Sequence, residues 1–323
     1  MVSSTDTALP AGYTARAPRL DDVAAIAALV QDYTRAIVGF ADYTEDDVRD
    51  DLTEPGFDID HDSRLVLDEE GHAAGQATAV LTSGSDLVEI DVVATDPRVR
   101  AWLFAWALAR AGEQGRAHGH PCVTVHHGAY RADTGLREQA GALGFAVATT
   151  FHRMRVDHDG AVPAPVAPPG VTLRQGTDPA VRVAAHQVQN AAFAEHFANV
   201  PKSFDSWHET LERKSVFDWT QLWVAELDGQ PVAILECNGQ FAEDENCGYV
   251  SSIGVLPRAR GHGIAKYLLR HAFALDAAAG RTGTLLHVDS NNTTPAPGVY
   301  ESVGMHPVLV IDVWRRVLLC RLP

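Results

Sequence analysis

A layered α/β (α+β) chain, with one domain written twice in tandem, is what this 323-residue sequence predicts. Three observations predict it. The length exceeds what one hydrophobic core usually supports. Short segments recur at a fixed offset of 160 residues, on either side of a Pro-rich stretch. Within each copy, apolar strands alternate with amphipathic helices, which implies a mixed sheet with helices on its faces.

The dividing stretch, Ala161 to Gly170, reads AVPAPVAPPG, and five of its ten residues are Pro or Gly. It can continue neither a helix nor an inner strand, so it reads as a short stiff linker between domains at 1–160 and 171–323. Tyr13-Thr14-Ala15-Arg16 and Val171-Thr172-Leu173-Arg174 each lead through an acidic cap into an apolar helix. Pro97-Arg98-Val99-Arg100 recurs as Pro257-Arg258-Ala259-Arg260, and Leu143-Gly144-Phe145 as Val303-Gly304-Met305. A repeat of this size means duplicated domains rather than a solenoid. In the second copy the strands read as 222–227, 232–238, 248–255, 284–289 and 307–315. The helices read as 182–197, 206–214, 263–279 and 295–302.

Hydrophobic residues make up 46% of the chain and charged residues 21%, which is ordinary for a soluble globular protein. The formal net charge of −16 leaves no basic footprint for nucleic acid or an anionic membrane. A cationic substrate fits that balance, and so does plain solubility. Cys122, Cys237, Cys247 and Cys320 are scattered, without a C-x-x-C pair, so neither a zinc site nor a disulfide framework is expected. Met1 to Pro10 is polar, and there is no apolar run of about 18 residues, so neither a leader peptide nor a membrane span is expected. These features together predict a cytoplasmic protein.

Chemistry concentrates in Ser252 to Arg270, SIGVLPRARGHGIAKYLLR. An apolar strand ends at Val255, Pro257 stops further pairing, and a Gly-containing turn opens directly into an amphipathic helix. Gly261 and Gly263 allow φ > 0 and a close approach of backbone to ligand. The turn and first helical residues then aim unpaired N–H groups at one point, with the helix dipole behind them. Arg258, Arg260 and His262 add charge, and such a place binds phosphate. Dinucleotide folds use a related device, but here Lys266 stands where G-x-G-x-x-G needs its third Gly. No acidic ribose-binding residue follows a second strand.

At these residues the sequence resembles the GCN5-related N-acetyltransferase (GNAT) family, whose signature R/Q-x-x-G-x-G/A is filled by Arg258, Gly261 and Gly263. Its downstream signature is an Asn after the next strand, then a helix with a Tyr and a Gly-Phe turn. Asn292 and Tyr300-Glu301-Ser302-Val303-Gly304-Met305 follow Leu286-His287-Val288-Asp289 here, with Met305 replacing the usual Phe. The duplicated layout resembles the tandem acetyltransferases that include mycothiol synthase, each domain a mostly antiparallel mixed sheet. The resemblance implies that acetyl-coenzyme A serves as acyl donor, without a metal. Its pyrophosphate would lie on Gly261, His262, Gly263, Ile264 and Ala265. Its pantetheine arm would run along Ile253, Gly254 and Val255, with Asn292 hydrogen-bonding that arm and Tyr300 protonating the departing thiolate. Packing alone also accounts for a Tyr at 300.

Mycothiol synthase-like enzymes carry a Glu on the strand before the phosphate loop, where Tyr249 stands here. Glu236, inside the apolar run Val232 to Leu235 and beyond, is the nearest carboxylate and the candidate base. Exposure accounts for it equally well. Strand alternation puts Ser251 on the face of Tyr249. Glu195 and His196 fall where this fold forms its acceptor wall, or at a solvated helix end. At the 160 offset Gly261, His262 and Gly263 become Ala101, Trp102 and Leu103, while Tyr300 becomes Ala140 and Asn292 becomes Ala132. The first copy is therefore a degenerate domain, either an acceptor wall or dimer surface, or a ligand-free support. His126-His127 face opposite ways on a strand and do not make a metal pair.

The expected activity is acetyl transfer to a primary amine of a small molecule, by direct attack, in a monomer or homodimer. Glu226, Glu236, Glu243, Asp244 and Glu245 favour a cationic, aminosugar-like acceptor, although 243–245 also read as a solvated hairpin tip. Altered acyl or thioester chemistry, or coenzyme A sensing without turnover, remain alternatives.

Overall fold

The computed structural model describes residues 8–194, 196–197, 199–291 and 296–320. In chain order the elements of the first copy are β1 (Thr14–Arg16), α1 (Val23–Val38), α2 (Glu45–Leu52), α3 (Ile59–Asp62), β2 (Ser63–Leu67), β3 (Ala73–Leu81), β4 (Leu87–Ala94), α4 (Pro97–Ala117), β5 (Cys122–Tyr130), α5 (Thr134–Ala142) and β6 (Ala146–Asp157). Those of the second are β7 (Val171–Gln175), α6 (Pro179–Ala192), α7 (Phe204–Arg213), β8 (Leu222–Leu227), β9 (Gln230–Asn238), β10 (Cys247–Val255), α8 (Ile264–Ala278), β11 (Gly283–Asp289), α9 (Ala296–Glu301) and β12 (His306–Leu319). Residues 161–168 hold no regular structure, as their prolines require.

The chain forms two compact units, 1–150 with 311–323, and 151–310. Each unit is a six-stranded sheet with the same plan. In the first the order is β1-β2-β3-β4-β5-β12, and in the second β6-β11-β10-β9-β8-β7. In each sheet every neighbour pair but one is antiparallel; the parallel pairs are β4 with β5 in the first and β10 with β11 in the second. The units differ from the linear halves at 1–160 and 171–323 in one respect: each takes its last strand from the other copy. Ile311 to Leu319 pairs with β5, and Phe151 to Asp157 pairs with β11. Two copies of one pattern present two equivalent sheet edges, so the residues of a final strand carry no signal for which edge it joins.

The second unit is held by α8 against the sheet. Its Leu268, Leu269, Ala272 and Phe273, at i, i+1, i+4 and i+5, pack on Leu235 of β9, Val250 of β10 and Leu286 of β11. Leu268 and Leu269 are fully buried, and each contributes about 1.5–3 kcal/mol over exposure. α6 starts where Asp178 accepts the Ala180 N–H at 2.9 Å and Pro179 fills the first helical position. It ends at Ala192, short of the expected 197, where Phe193 leaves the helical path and its ring packs at a tilt on His196 with centroids 4.8 Å apart. Among the described residues no helix is long and apolar enough to cross a membrane.

Candidate active site

The cleft of the second unit begins with one extra residue in β10. Val250 and Ser252 face Cys237 and Glu236, which are consecutive on β9, so Ser251 is an insertion in the ladder, a β-bulge. A bulge bends its strand, and the parallel pairing of β10 with β11 runs only from Cys247↔Gly283 to Val250↔Leu286. Beyond it the strands part around a cavity of about 770 Å³. β10 contributes Tyr249 to Val255 to its lining, and β11 contributes Leu286 to Asp289. The end of α6, Ala259, the start of α8, Val299 and Tyr300 of α9, and Phe151 of β6 also line it. Gly254 is needed where α6 closes in: a Cβ there would lie 2.8 Å from the Phe193 ring and 2.9 Å from the Ala192 methyl.

At one end the cavity meets the turn into α8. Gly261 and Gly263 have φ of +85° and +76°, the left-handed region that an L side chain rarely adopts. Gly263 is the N-cap and offers no side chain to the helix start, and the first rung of the helix is Tyr267 N–H to Gly263 C=O. The N–H groups of Ile264, Ala265 and Lys266 are thus left without an intrahelical acceptor, at the positive end of a 15-residue helix. Gly261, Gly263 and these three residues line the cavity with Arg260, and the set suits an anion. Arg258 lies outside the lining and donates to the Pro231 carbonyl at 3.0 Å, tying the turn to β9. His262 also lies outside, with Nδ1 3.2 Å from the carbonyls of Ala259 and Arg260.

The other groups sit around the splayed strands. Tyr300 is buried, lines the cavity, and has its phenol pushed up to about 12 by burial. Glu236 is buried rather than exposed, and lies behind the lining. Ser251, which does line it, donates through Oγ to Glu236 Oε1 at 2.7 Å. Burial raises the Glu236 carboxyl above its ordinary value, while the Ser251 hydrogen bond and the Lys214 charge pull it back. Tyr249 lines the cavity 3.0 Å from His287 Nδ1. Arg153 Nε–H donates to His287 Nε2 at 3.1 Å, which leaves Nδ1 as the protonated nitrogen facing the phenol oxygen. Burial, then the Arg153 charge, push this imidazole down to about 3, so it is neutral at working pH.

His196 and Asp289 both line the cavity, while Asn292 and Glu195 lie outside the described residues. The acidic set invoked for the acceptor does not line the cavity. Glu226 pairs with Arg174 at 3.1 Å, and Glu245 with Arg153 and Arg155 at 3.0 and 3.4 Å. His287, Ser251 as Glu236's partner, and the Phe193–Gly254 contact were not picked out in the sequence. The only sequence signals were a His and an Asp set into the apolar strand 284–289.

Residues 187–305 match the model of the acetyltransferase (GNAT) family. This stretch is a GNAT acetyltransferase domain. A mycothiol acetyltransferase of Streptomyces griseus is 29% identical over 247 residues, 73% of this chain and 65% of that protein. One of Streptomyces scabiei is 28% identical over 321 residues, 94% and 96% of the two chains. The crystal structure of a GCN5-related N-acetyltransferase from Sphaerobacter thermophilus superposes with a TM-score of 0.80 at 26% identity, covering 97% of this chain and 98% of that one. A tandem GNAT protein from the clavulanic acid biosynthesis pathway shares the fold, with a TM-score of 0.69 at 16% identity over 94% and 98% of the two chains.

The first unit has the GNAT plan without its phosphate turn. Ala101, Trp102 and Leu103, at the positions of Gly261 to Gly263, lie inside the unbroken helix α4, capped by Asp96 on the Arg98 N–H at 2.8 Å. Their N–H groups belong to the helical ladder, and Leu103 is fully buried in the core of that unit. β4 also pairs with β3 without a bulge. Ala140, in place of Tyr300, is a core residue.

Proposed function

We propose that the chain transfers an acetyl group from acetyl-coenzyme A to a primary amine of a small molecule, in its second unit. The observation that carries this reading is the splay of β10 from β11, opening onto the uncapped start of α8. The splayed strand offers backbone to an extended pantetheine arm, and the helix start, with Arg260 and Lys266, offers donors and charge to a pyrophosphate. The left-handed glycines keep that cradle clear of side chains: nothing stands within 4 Å of a Cβ placed at either. Acetyl-coenzyme A supplies an activated acyl carbon; the chain holds it beside the acceptor, which makes attack effectively unimolecular. Tyr300 holds the leaving sulfur, and Glu236 takes the proton that frees the amine.

Relatives named mycothiol acetyltransferase favour a small amine-bearing acceptor. Tyr249, in place of the Glu of mycothiol synthase-like enzymes, favours an acceptor different from theirs. The test is coenzyme A release from acetyl-coenzyme A across a panel of primary amines, including D-glucosamine. Turnover with one class of amine supports the reading. Tight binding of acetyl-coenzyme A with no release above the uncatalysed rate would favour a sensor, and release without an amine would favour thioester hydrolysis.

A further inference from the structure

We infer that Ser251 is the proton relay between the acceptor amine and Glu236. This rests on the acyltransfer reading above and adds a residue to it. Glu236 is positioned as a base but cannot touch an acceptor directly, because it is 5% exposed and lies behind the cavity wall. The residue between it and the cavity is the bulge residue. Ser252, the cross-strand partner of Glu236, also lines the cavity, but the hydroxyl bonded to the carboxylate is that of Ser251. Ser251 lines the cavity, and its O–H has two acceptors within reach, both on Glu236: Oε1 at 2.7 Å and the backbone carbonyl at 3.2 Å. A serine hydroxyl has one hydrogen and two lone pairs. With the hydrogen committed to Glu236, the oxygen keeps acceptor lone pairs, and because Ser251 lines the cavity an ammonium or amine N–H bound there would donate to them.

The step balances. A docked R–NH3+ passes one proton to Ser251 Oγ as the serine's own hydrogen passes to Glu236 Oε1, leaving neutral R–NH2 and a protonated carboxyl. The amine lone pair then forms the C–N bond at the thioester carbon. Collapse of the adduct breaks the C–S bond, and the second N–H proton ends on the sulfur, held by Tyr300. Glu236 returns its proton to solvent by the same serine. Other ionisable groups bear on this carboxyl: Lys214, whose charge favours the ionised form, and the neighbouring Cys237, whose thiol burial keeps neutral. Neither stands between it and the cavity. Unit 1 provides an internal contrast, since its unbulged β4 carries Asp91 at the position of Ser251.

The experiment compares full-length wild type with Ser251→Ala, Glu236→Gln, the double variant and Ser251→Thr. Rates are taken from pH 5.5 to 9 with D-glucosamine and acetyl-coenzyme A. The dissociation constant for coenzyme A serves as the folding control and should be the same in all five. Both single variants should lose about 10²-fold in kcat/KM near neutral pH, in the range of a lost general base. The rise of rate with pH through the Glu236 ionisation should vanish in both. The double variant should be no slower than the slower single one, because the two act as a unit. Ser251→Thr, which keeps the hydroxyl, should recover most of the rate. Wild-type rates in Ser251→Ala beside a dead Glu236→Gln overturn the relay and leave the base. Multiplicative losses in the double variant overturn it too, as does a Thr variant no better than Ala. Wild-type rates in every variant overturn the base as well. No turnover by wild type overturns the acyltransfer reading and the relay with it.

Discussion

Tyr300 works against an unfavourable match in acidity. Its phenol stands at about 12, whereas a thiol titrates near 8.5. Complete transfer of its proton to a free thiolate would run uphill by roughly 5 kcal/mol at 1.36 kcal/mol per pKa unit. A hydrogen bond to the sulfur as charge develops carries no such cost, so in the proposed reaction Tyr300 would act as a donor that stays protonated across the working pH range. Tyr300→Phe should lower kcat by about 10²-fold and leave the dissociation constant of acetyl-coenzyme A nearly unchanged, because the interaction belongs to the transition state. Steady-state kinetics beside a binding titration check this, and an unchanged kcat would reduce Tyr300 to a packing residue. A second residue sets a stability term. Asp276 on α8 is raised to about 6, first by burial, while Thr284 donates to it at 2.5 Å. The unfolded chain releases this proton near 3.8 and the folded one near 6. The folded state therefore binds more protons between those values, and stability falls as pH rises through that window, by up to about 3 kcal/mol. Denaturant titrations at pH 4 and pH 7 should show a smaller pH-dependent loss in Asp276→Asn than in wild type. The glycines and Tyr300 were legible because their residue types are rare at those spacings. His287 was not, because the group that fixes its tautomer is Arg153, 134 positions away on a strand of the other copy.

α8 and the turn before it make the element on which the proposed donor binding rests. In the proposed reaction its first-turn N–H groups, with Arg260 and Lys266, would attract the donor rather than the acceptor. Raising ionic strength should weaken acetyl-coenzyme A binding while leaving the acceptor's KM nearly constant, since the acidic residues first associated with the acceptor are away from the cavity or paired with arginines. A titration series in salt decides between the two. β10 is the second decisive element. Gly254→Val would drive a side chain into Phe193 and Ala192, already 2.8 and 2.9 Å from a bare Cβ. Overpacking of this kind costs about 1–3 kcal/mol and should displace the end of α6 from the cleft. Thermal denaturation with acetyl-coenzyme A titration checks it: a lower Tm with weakened binding is expected, and a wild-type Tm would contradict the contact. The strands of the second copy were readable to within a few residues, since apolar runs bounded by Gly, Pro and Asp define them well. The bulge at Ser251 was not, because an inserted residue shows only in the register against β9. The early end of α6 also escaped, because Phe193 and His196 continue an amphipathic pattern that tertiary contact breaks.

The whole molecule uses one plan twice, and the proposed chemistry rests on the second copy alone. Both units keep the strand order and the single parallel step, so duplication preserved the scaffold. The second has a bulge in β10, where the corresponding β4 pairs regularly, together with the turn of left-handed Gly261 and Gly263 and Tyr300 at the cleft. In the first, a helix runs through the corresponding turn and removes its donors. Duplication was legible from the 160-residue offset, but the exchange of final strands was not, since both copies end in the same kind of strand. The most direct test of the account is a calorimetric titration of acetyl-coenzyme A into wild type, Gly261→Val and Ala101→Val. One site per chain in wild type, lost in Gly261→Val and kept in Ala101→Val, is the expected result. Two sites per chain, or binding that survives at Gly261→Val and fails at Ala101→Val, would contradict it.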